Sequence, residues 1–416
     1  MSASRSHYFP YRLFAILLWT TTLSLASWGA DNEKVVYNFT GGNDGGRPAA
    51  QLIFDSAGNA YGTTVVGGLY GCGTVFELSL IGDQWQETAL YSFDCFGTGK
   101  NPYGGVTRDS AGNLYGTTVA GGSGGECTGD GCGVVYLLTK SGDTWNETVL
   151  YNFTGGDDGF GPGSAVVFDK AGNLYGTTPD GGAFAEGVVY QLAPNNGQWK
   201  QTVIHAFTGG DDGAVGSLGA LLLDATGSLY GVTELGGSYG AGVAFRISRS
   251  GDTWNYTTVY AFQGLPDAGF PYGGLTADSH GRLYGTTYFD GADGLGSVFQ
   301  ISAGPTVRAV WKESVLYSFQ GDTDASFPTS TLVFDAAGNL YGTSSTGGNP
   351  SCDCGTIFKL APSPSGWTEN VLHSFGGSTD GLYPNYGLTP DGMGNYFGVT
   401  PAGGLYGQGV VFQITP

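Results

Sequence analysis

Six aspartates recur at one position of a repeated segment, and their carboxylates are the groups in this sequence best suited to hold a ligand. Each lies five residues after a repeated phenylalanine: Asp44, Asp158, Asp212, Asp267, Asp324 and Asp380. Asp157 and Asp211 directly precede two of them, so Asp157-Asp158 and Asp211-Asp212 are the densest pairs. If the fold gathers these loops at one mouth, the carboxylates could bind Ca²⁺ through oxygen ligands or accept hydrogen bonds from glycan hydroxyls.

The same aspartates have a simpler interpretation. An Asp side chain in a Gly-rich loop can accept hydrogen bonds from the loop's own amides, and it recurs because the loop recurs. No single loop carries the spaced series of carboxylates that a self-contained calcium loop requires. The sequence therefore favours a turn role, keeps Ca²⁺ as an alternative, and indicates no other cofactor.

The six cysteines predict disulfides, because paired thiols in an exported chain are more often bridged than bound to metal. They are Cys72, Cys95, Cys127, Cys132, Cys352 and Cys354. We expect Cys72 to pair with Cys95 and Cys127 with Cys132. A bridge from Cys352 to Cys354 across one residue would be strained, so free thiols or a labile redox pair stay open. No histidine lies close to these cysteines in sequence, and no metal ligand is assigned.

The case for catalysis is weak. The chain has four histidines, of which His205 and His373 replace a repeated tyrosine, and none forms a recognisable Ser-His-Asp arrangement. We therefore predict that the protein is not an enzyme. The alternative is a polysaccharide hydrolase or lyase with acidic residues at a channel mouth, because pairs of carboxylates can cleave glycosidic bonds.

The elements that position these residues follow from a repeat of ten residues, DSAGNLYGTT at 109–118. Copies of it begin at Asp55, Asp109, Asp169, Asp224, Asp278, Asp335 and Asp391, which are 54 to 60 residues apart. Each unit contains four short runs of β-branched and aromatic residues separated by Gly-rich turns. Four strands per unit with no helical periodicity predict an all-β, seven-bladed β-propeller of four-stranded blades.

The chain ends predict how the ring closes. The last unit stops after its third strand, and a matching fourth strand stands at 35–39, near the N-terminus. Pairing that strand into the last blade would close the ring and remove exposed sheet edges. We therefore assign residues 35–416 to the propeller.

The repeat resembles a known family. Its frame Leu-Tyr-Ser-Phe-x-Gly-Gly-x-Asp-Gly, then Asp-x-x-Gly-Asn-Leu-Tyr-Gly-Thr-Thr, Gly-Gly and Gly-x-Val-Phe-x-Leu, is similar to the GloVer (Gloeo/Verruco) tandem repeat of secreted and surface bacterial proteins. The resemblance covers 35–416. It implies a bacterial, β-propeller-like repeat protein, and it carries over no activity and no catalytic residue. The Asp-x-x-Gly-Asn-Leu-Tyr-Gly-Thr segment also resembles the blade motif of periplasmic sensor propellers.

The N-terminus and the charge indicate a compartment. Arg5 and Arg12 precede the apolar run 13–18, and small residues follow, so we predict a signal peptide at 1–26 and a short lead at 27–34. Secretion to the periplasm or medium follows, with no membrane span after cleavage. Fifteen Lys and Arg against 35 Asp and Glu give a net charge of −20, which argues against nucleic acid.

Together these features predict a recognition or scaffold module. We expect a monomer that binds an extracellular glycan or protein through its Gly- and Asp-rich loop face. A purely structural role in the cell envelope is the remaining alternative.

Overall fold

The computed structural model describes residues 33–125, 127, 129–216, 219–304 and 310–416. In these residues every regular element is a β-strand, and the strands form seven sheets. The predicted signal peptide, 1–26, and residues 27–32 of the predicted lead lie outside the described residues.

Each sheet is one blade, and its strands follow one another along the chain in antiparallel order. The N-terminal strand is β1 (Glu33–Asn38). Blade 1 contains β2 (Gly46–Phe54), β3 (Ala60–Val66), β4 (Thr74–Ile81) and β5 (Gln84–Ser92). Blade 2 contains β6 (Val106–Arg108), β7 (Leu114–Thr118), β8 (Val134–Ser141) and β9 (Thr144–Asn152). Blade 3 contains β10 (Val167–Phe168), β11 (Leu174–Thr178), β12 (Val188–Asn195) and β13 (Gln198–Ala206).

In blades 4 to 6 the first strand is divided into two short pieces. Blade 4 contains β14 (Ala214–Gly216), β15 (Leu222–Leu223), β16 (Leu229–Leu235), β17 (Val243–Ser250) and β18 (Thr253–Ala261). Blade 5 contains β19 (Ala268–Pro271), β20 (Thr276–Ala277), β21 (Leu283–Asp290), β22 (Ser297–Ser302) and β23 (Lys312–Ser318). Blade 6 contains β24 (Ala325–Pro328), β25 (Val333–Phe334), β26 (Leu340–Gly347), β27 (Thr356–Ser363) and β28 (Gly366–Ser374). Blade 7 contains β29 (Thr389–Pro390), β30 (Tyr396–Thr400), β31 (Val410–Ile414) and β1.

The ring closes as the chain ends predict. Strand β1 pairs antiparallel with β31, from Glu33 opposite Ile414 to Asn38 opposite Val410. On the channel side, the Thr389 hydroxyl donates to the Leu52 carbonyl at 2.7 Å, which joins the first strands of blades 7 and 1. The seven-bladed propeller is therefore confirmed, including its closure by the N-terminal strand.

The cores lie between neighbouring blades. The repeated phenylalanine after each fourth strand is buried against an aromatic ring on the third strand of the next blade. Phe39 meets Phe76 edge-to-face at 5.1 Å, and Phe153 meets Tyr190 at 5.2 Å. Each such burial contributes about 1.5–3 kcal/mol, so the blades hold one another in place.

The first strands line the channel, and small residues interrupt them there. A Cβ on Gly219 would lie 2.2 Å from the amide nitrogen of Gly274, and one on Gly273 would lie 2.6 Å from the backbone of Ser330. Neighbouring first strands therefore approach so closely that only glycine fits at these points. The interruptions leave an open space along the axis.

Candidate functional site

The six repeated aspartates lie beside the fourth, outermost strand of the preceding blade. Each accepts a hydrogen bond from the Tyr or His seven residues earlier on that strand, at 2.8 to 3.1 Å; the pairs are Tyr37–Asp44, Tyr151–Asp158, His205–Asp212, Tyr260–Asp267, Tyr317–Asp324 and His373–Asp380. In five of the six loops the carboxylate also accepts from the backbone amide four residues earlier; these donors are Thr40, Thr154, Thr208, Gln320 and Gly376. The carboxylates thus brace their own loops.

Asp157 and Asp211, which precede two of these residues, are exposed, and Asp211 accepts a hydrogen bond from Ser238 at 3.1 Å. Among the described residues, no group of three or more His, Cys, Asp or Glu side chains is arranged to hold a metal ion. A cation or ligand at the repeated aspartates stays a prediction.

A glutamate on the next blade lies near three of these carboxylates, those of Asp44, Asp267 and Asp324. It stands two residues after the repeated tryptophan, or at the matching place in β1: Glu33, Glu87, Glu147, Glu313 and Glu369. In Glu87, Glu147, Glu313 and Glu369, one carboxyl oxygen is buried without a hydrogen-bond partner among the described residues. Burial, followed by the neighbouring Asp44, raises the pKa of Glu87 to about 8.

The other three glutamates with a raised pKa behave alike. Burial followed by Asp94 raises the pKa of Glu147 to about 8, and burial followed by Asp324 raises that of Glu369 to about 8. Burial together with a hydrogen bond and the charge of Asp267 raises the pKa of Glu313 to about 9. Each of these glutamates is therefore mostly protonated at neutral pH.

Blades 3 and 4 show what this position requires. There the glutamate is replaced by Gln201 and Tyr256, both neutral donors. The Gln201 side-chain amide donates to the carbonyl of Asp158 at 3.2 Å, and the Tyr256 hydroxyl donates to the carbonyl of Asp212 at 2.6 Å. A protonated glutamate is the acidic side chain that can fill the same role. In blades 3 and 4 the outer strand is thus joined to the preceding loop by a neutral hydrogen-bond donor.

All six cysteines are paired. Cys72–Cys95 and Cys127–Cys132 form the two predicted disulfides. Cys352 is bonded to Cys354, although the sequence left free thiols open. Asp353 between them adopts a positive φ of 54°, a left-handed backbone conformation that turns the chain between the two cysteines.

A cavity of about 680 Å³ occupies the channel on the face of the second-to-third and blade-to-blade loops. Larger side chains from four blades line it: Tyr103 of blade 2, Glu234 of blade 4, Tyr272 and Tyr288 of blade 5, and Asn385 and Tyr386 of blade 7. Small residues of the interrupted first strands form much of the remaining wall. None of the described residues lining it is one of the predicted aspartates.

The tyrosines form one group across the channel. The rings of Tyr272 and Tyr288 lie 5.9 Å apart at a tilt of 40°. Burial, followed by the nearby Tyr103 and Tyr272, raises the pKa of Tyr386 above its ordinary value. Burial, followed by Glu234, also raises the pKa of Tyr272. The phenols of Tyr272 and Tyr386 thus stay neutral at neutral pH.

Two acceptors in this cavity lack partners within the described part of the chain. The side-chain oxygen of Asn385 is buried and accepts no hydrogen bond. The Glu234 carboxylate is half-buried, and burial raises its pKa. Buried acceptors without donors cost free energy, so a ligand that supplies donors would be stabilised here.

Sequence reasoning missed this site because it searched for residues that recur. The cavity residues depart from the repeat. At the position of Tyr103, six residues before the repeated aspartate, the seven units carry Ala49, Tyr103, Gly163, Leu218, Tyr272, Thr329 and Asn385. At the position of Glu234 they carry Val65, Val119, Pro179, Glu234, Tyr288, Ser345 and Pro401. Variation among the seven units at these two positions was the signal in the sequence that could have identified the cavity.

No helix in the described ranges has the length and apolarity needed to cross a membrane. A search of curated proteins found no match. Among solved structures, a crystal structure of a protein of unknown function from Dyadobacter fermentans DSM 18053 is similar at 14% identity and a TM-score of 0.46, covering 82% of this chain and 96% of that one.

The sequence model of the Gloeobacter/Verrucomicrobia repeat matches residues 123–313 and 309–416. Together these segments span more than half of the chain, and they include blades 3 to 7 of the propeller. The resemblance seen in the repeat frame is therefore confirmed: the chain belongs to the Gloeobacter/Verrucomicrobia repeat family.

Proposed function

We propose that this protein is a secreted or surface-exposed recognition module that binds the end of an extracellular glycan in the channel cavity. The observation that carries the proposal is the group of tyrosines from separate blades, Tyr103, Tyr272, Tyr288 and Tyr386, around one cavity. The blades differ at these positions, so neither the turns nor the cores require tyrosine there.

The chemistry of the cavity suits a sugar. Aromatic faces pack against the apolar C–H surfaces of pyranose rings, while hydroxyls around the ring donate to acceptors in the wall. Asn385 and Glu234 supply acceptors that have no partner among the described residues. A cavity of this volume admits a chain end of a few sugar units rather than a long polymer segment.

We propose binding without turnover. Glycoside hydrolysis by the common mechanisms requires two carboxyl groups on opposite sides of the scissile bond. Glu234 is the one carboxyl side chain among the described residues that line the cavity. A hydrolase or lyase would have to recruit a second acid from outside this lining.

An extracellular or periplasmic location is part of the proposal. Three disulfides suit an oxidising compartment, since thiols in the cytosol are kept reduced. The predicted signal peptide at 1–26 supports the same location from the sequence. Fractionation of cells that express the full chain, with mass determination of its N-terminus, tests both.

Affinity electrophoresis through gels that contain single polysaccharides tests the binding proposal. We expect one polymer to retard the protein, and Tyr103→Ala to weaken that binding by about tenfold or more, because truncating a central aromatic anchor costs more than about 1 kcal/mol. Tyr239→Ala is the matched control, since Tyr239 is an exposed tyrosine in a blade 4 loop and does not line the cavity.

Four results would argue against the proposal. Equal weakening of binding by both variants would indicate that the glycan binds at the outer loops. Loss of retardation in EDTA would indicate that the repeated aspartates bind Ca²⁺. Release of sugar products would make the protein an enzyme. Uniform mobility in every gel would favour a protein partner or a purely structural role.

An extracellular protein is the second candidate ligand, because neighbouring loops expose apolar side chains. Leu69 and Tyr70 of blade 1, Leu405 and Tyr406 of blade 7, and Phe96 between blades 1 and 2 are all more than half exposed. Exposed apolar groups on adjacent loops are typical of protein interaction surfaces. Sedimentation of wild type and of Tyr70→Ser/Tyr406→Ser would show whether the surface joins copies of this chain or leaves a monomer free for another partner.

A further inference from the structure

Glu234 is the one charged side chain among the described residues that line the channel cavity. It stands near the end of β16, where the other blades carry Val, Pro, Tyr or Ser. A carboxylate is therefore not needed to form this strand or the loop after it. Its presence in one blade requires an explanation specific to the cavity.

The surroundings of Glu234 offer no compensating charge. Within the described residues it has no ion pair and no hydrogen bond to its side chain, and burial raises its pKa. Among the described residues that line the cavity there is no Lys, Arg or His, although the exposed Arg47 lies close enough to Tyr386 to act on it electrostatically. A half-buried carboxylate without a partner is costly, and a bound cation would offset that cost.

The aromatic rings favour the same class of ligand. Tyr272 lies close enough to Glu234 for the carboxylate charge to raise its pKa, and Tyr288 packs 5.9 Å from Tyr272. Ring faces attract cations, most strongly where water is excluded. An ammonium group has three donors and no acceptor, which matches a wall whose unpartnered groups, Glu234 and the Asn385 side-chain oxygen, are both acceptors.

We infer that the channel cavity takes an amino sugar, with the protonated amine held by Glu234 against the rings of Tyr272 and Tyr288. The inference rests on the proposed function, since it names the kind of sugar bound at that site. Anionic sugars are disfavoured because the protein carries a net charge of −20 and the described residues that line the cavity include no basic side chain.

Calorimetric titration with three short β-1,4-linked oligomers tests the inference. Oligomers of glucosamine, N-acetylglucosamine and glucose share one backbone and differ in the group at carbon 2, which is an ammonium, an acetamide or a hydroxyl. We expect the glucosamine oligomer to bind at least about tenfold more tightly than the other two, as one charge-assisted hydrogen bond would give. Glu234→Gln should abolish that preference while keeping the shape of the side chain.

Two further variants serve as controls. Asp143→Asn removes one exposed negative charge in a third-to-fourth turn, on the opposite face, and should leave the preference unchanged. Glu234→Ser carries the residue that blade 6 has at this position, so it should fold and should also lose the preference. Thermal melts of each variant check folding.

The pH dependence gives a separate readout. Since burial raises the pKa of Glu234, this carboxylate is neutralised at a higher pH than an exposed glutamate, and binding of the glucosamine oligomer should weaken as the pH falls through that range. Among the described residues, Tyr272 is the titratable group seen to interact with Glu234; burial, followed by Glu234, raises the pKa of Tyr272, so its phenol stays neutral in this range. Glu234→Gln should remove this dependence.

The outcomes separate the two proposals. Equal affinity for all three oligomers, or tighter binding of an uncharged one, would overturn the amino-sugar inference and leave glycan binding in place. Equal affinity of wild type and Glu234→Gln for the glucosamine oligomer would also overturn it. Failure of all three oligomers to bind would overturn the inference, while retardation by another polysaccharide would still support the proposed function.

Discussion

The outer rim and the channel use polar residues in opposite ways. At the rim, the same aspartate recurs in six blade-to-blade loops and finds donors in its own loop or on the adjoining strand. In the channel, Tyr103, Glu234 and Asn385 occur at positions that differ from blade to blade, and two of these side chains keep acceptors without partners among the described residues. The recurring aspartates thus brace their loops, whereas the cavity residues that depart from the repeat keep acceptors without partners in the described part of the chain.

The energetics support this division. A carboxylate that accepts hydrogen bonds from nearby amides and hydroxyls stabilises its loop, whereas an unpaired buried acceptor costs about 1–3 kcal/mol. Asn385 and Glu234 each occur at their position in one blade only, so they are not needed to form the repeat. We therefore expect substitutions in the channel to change ligand binding and substitutions at the rim to change stability.

The largest effect on stability is expected from the rim. Asp158→Ala combined with Asp212→Ala removes the acceptor of Tyr151, His205 and two loop amides. Each substitution should lower the free energy of unfolding by about 1–3 kcal/mol, because buried donors lose their partner. Urea denaturation measures the loss. Unchanged stability with weaker glycan or Ca²⁺ binding would instead make these carboxylates a ligand site.

A pH-dependent effect should follow from the buried glutamates. The folded-state pKa of about 8 to 9 at Glu87, Glu147, Glu313 and Glu369 lies above the ordinary value of about 4.3. The folded state thus holds extra protons, and the stabilisation present below about pH 4 declines as the pH rises and is lost above about pH 9.

Replacing all four glutamates by Gln should flatten that decline. The Gln side chain can donate to the loop carbonyl at any pH, as Gln201 does in blade 3. Melting temperatures of wild type and the fourfold variant between about pH 5 and pH 9 test this. Parallel curves would show that the glutamates are not protonated partners of the loops.

The reciprocal change should have a smaller effect. Gln201→Glu installs the same acid in blade 3, where the Asp158 carbonyl already accepts from Gln201. We expect a melting temperature close to that of wild type at about pH 5 and lower by about 2 °C at about pH 9, since a single pair changes. A shift that is equal at both pH values would point to a packing effect rather than to protonation.

The smallest stability effect is expected in the channel. Tyr103 is partly exposed and makes no side-chain hydrogen bond among the described residues. Tyr103→Ala should therefore change the free energy of unfolding by no more than about 0.5 kcal/mol. Chemical denaturation measures it beside the binding assay. A large destabilisation would mean that Tyr103 stabilises the fold by packing, so that the channel residues, like those at the rim, would have a structural role.

Several features followed from the order of residues alone. The period of Asp-x-x-Gly-Asn segments and the four runs between them predicted the blades, because a strand and its turn are encoded locally. The fourth-strand match at 35–39 predicted the closure between β1 and β31. The sequence also predicted two of the three disulfides.

The tertiary structure decided the rest, because distances around a closed ring do not depend on separation along the chain. Burial between blades, followed by the charge of Asp44 from the preceding loop, raises the pKa of Glu87, and neither effect can be read from the sequence. Residues as far apart as Tyr103 and Tyr386 come together only because seven first strands converge on one axis. The sequence determined the repeated strands and turns. Which of the non-repeated residues line one cavity was decided by the tertiary structure, because the first strands of all seven blades meet at the channel axis.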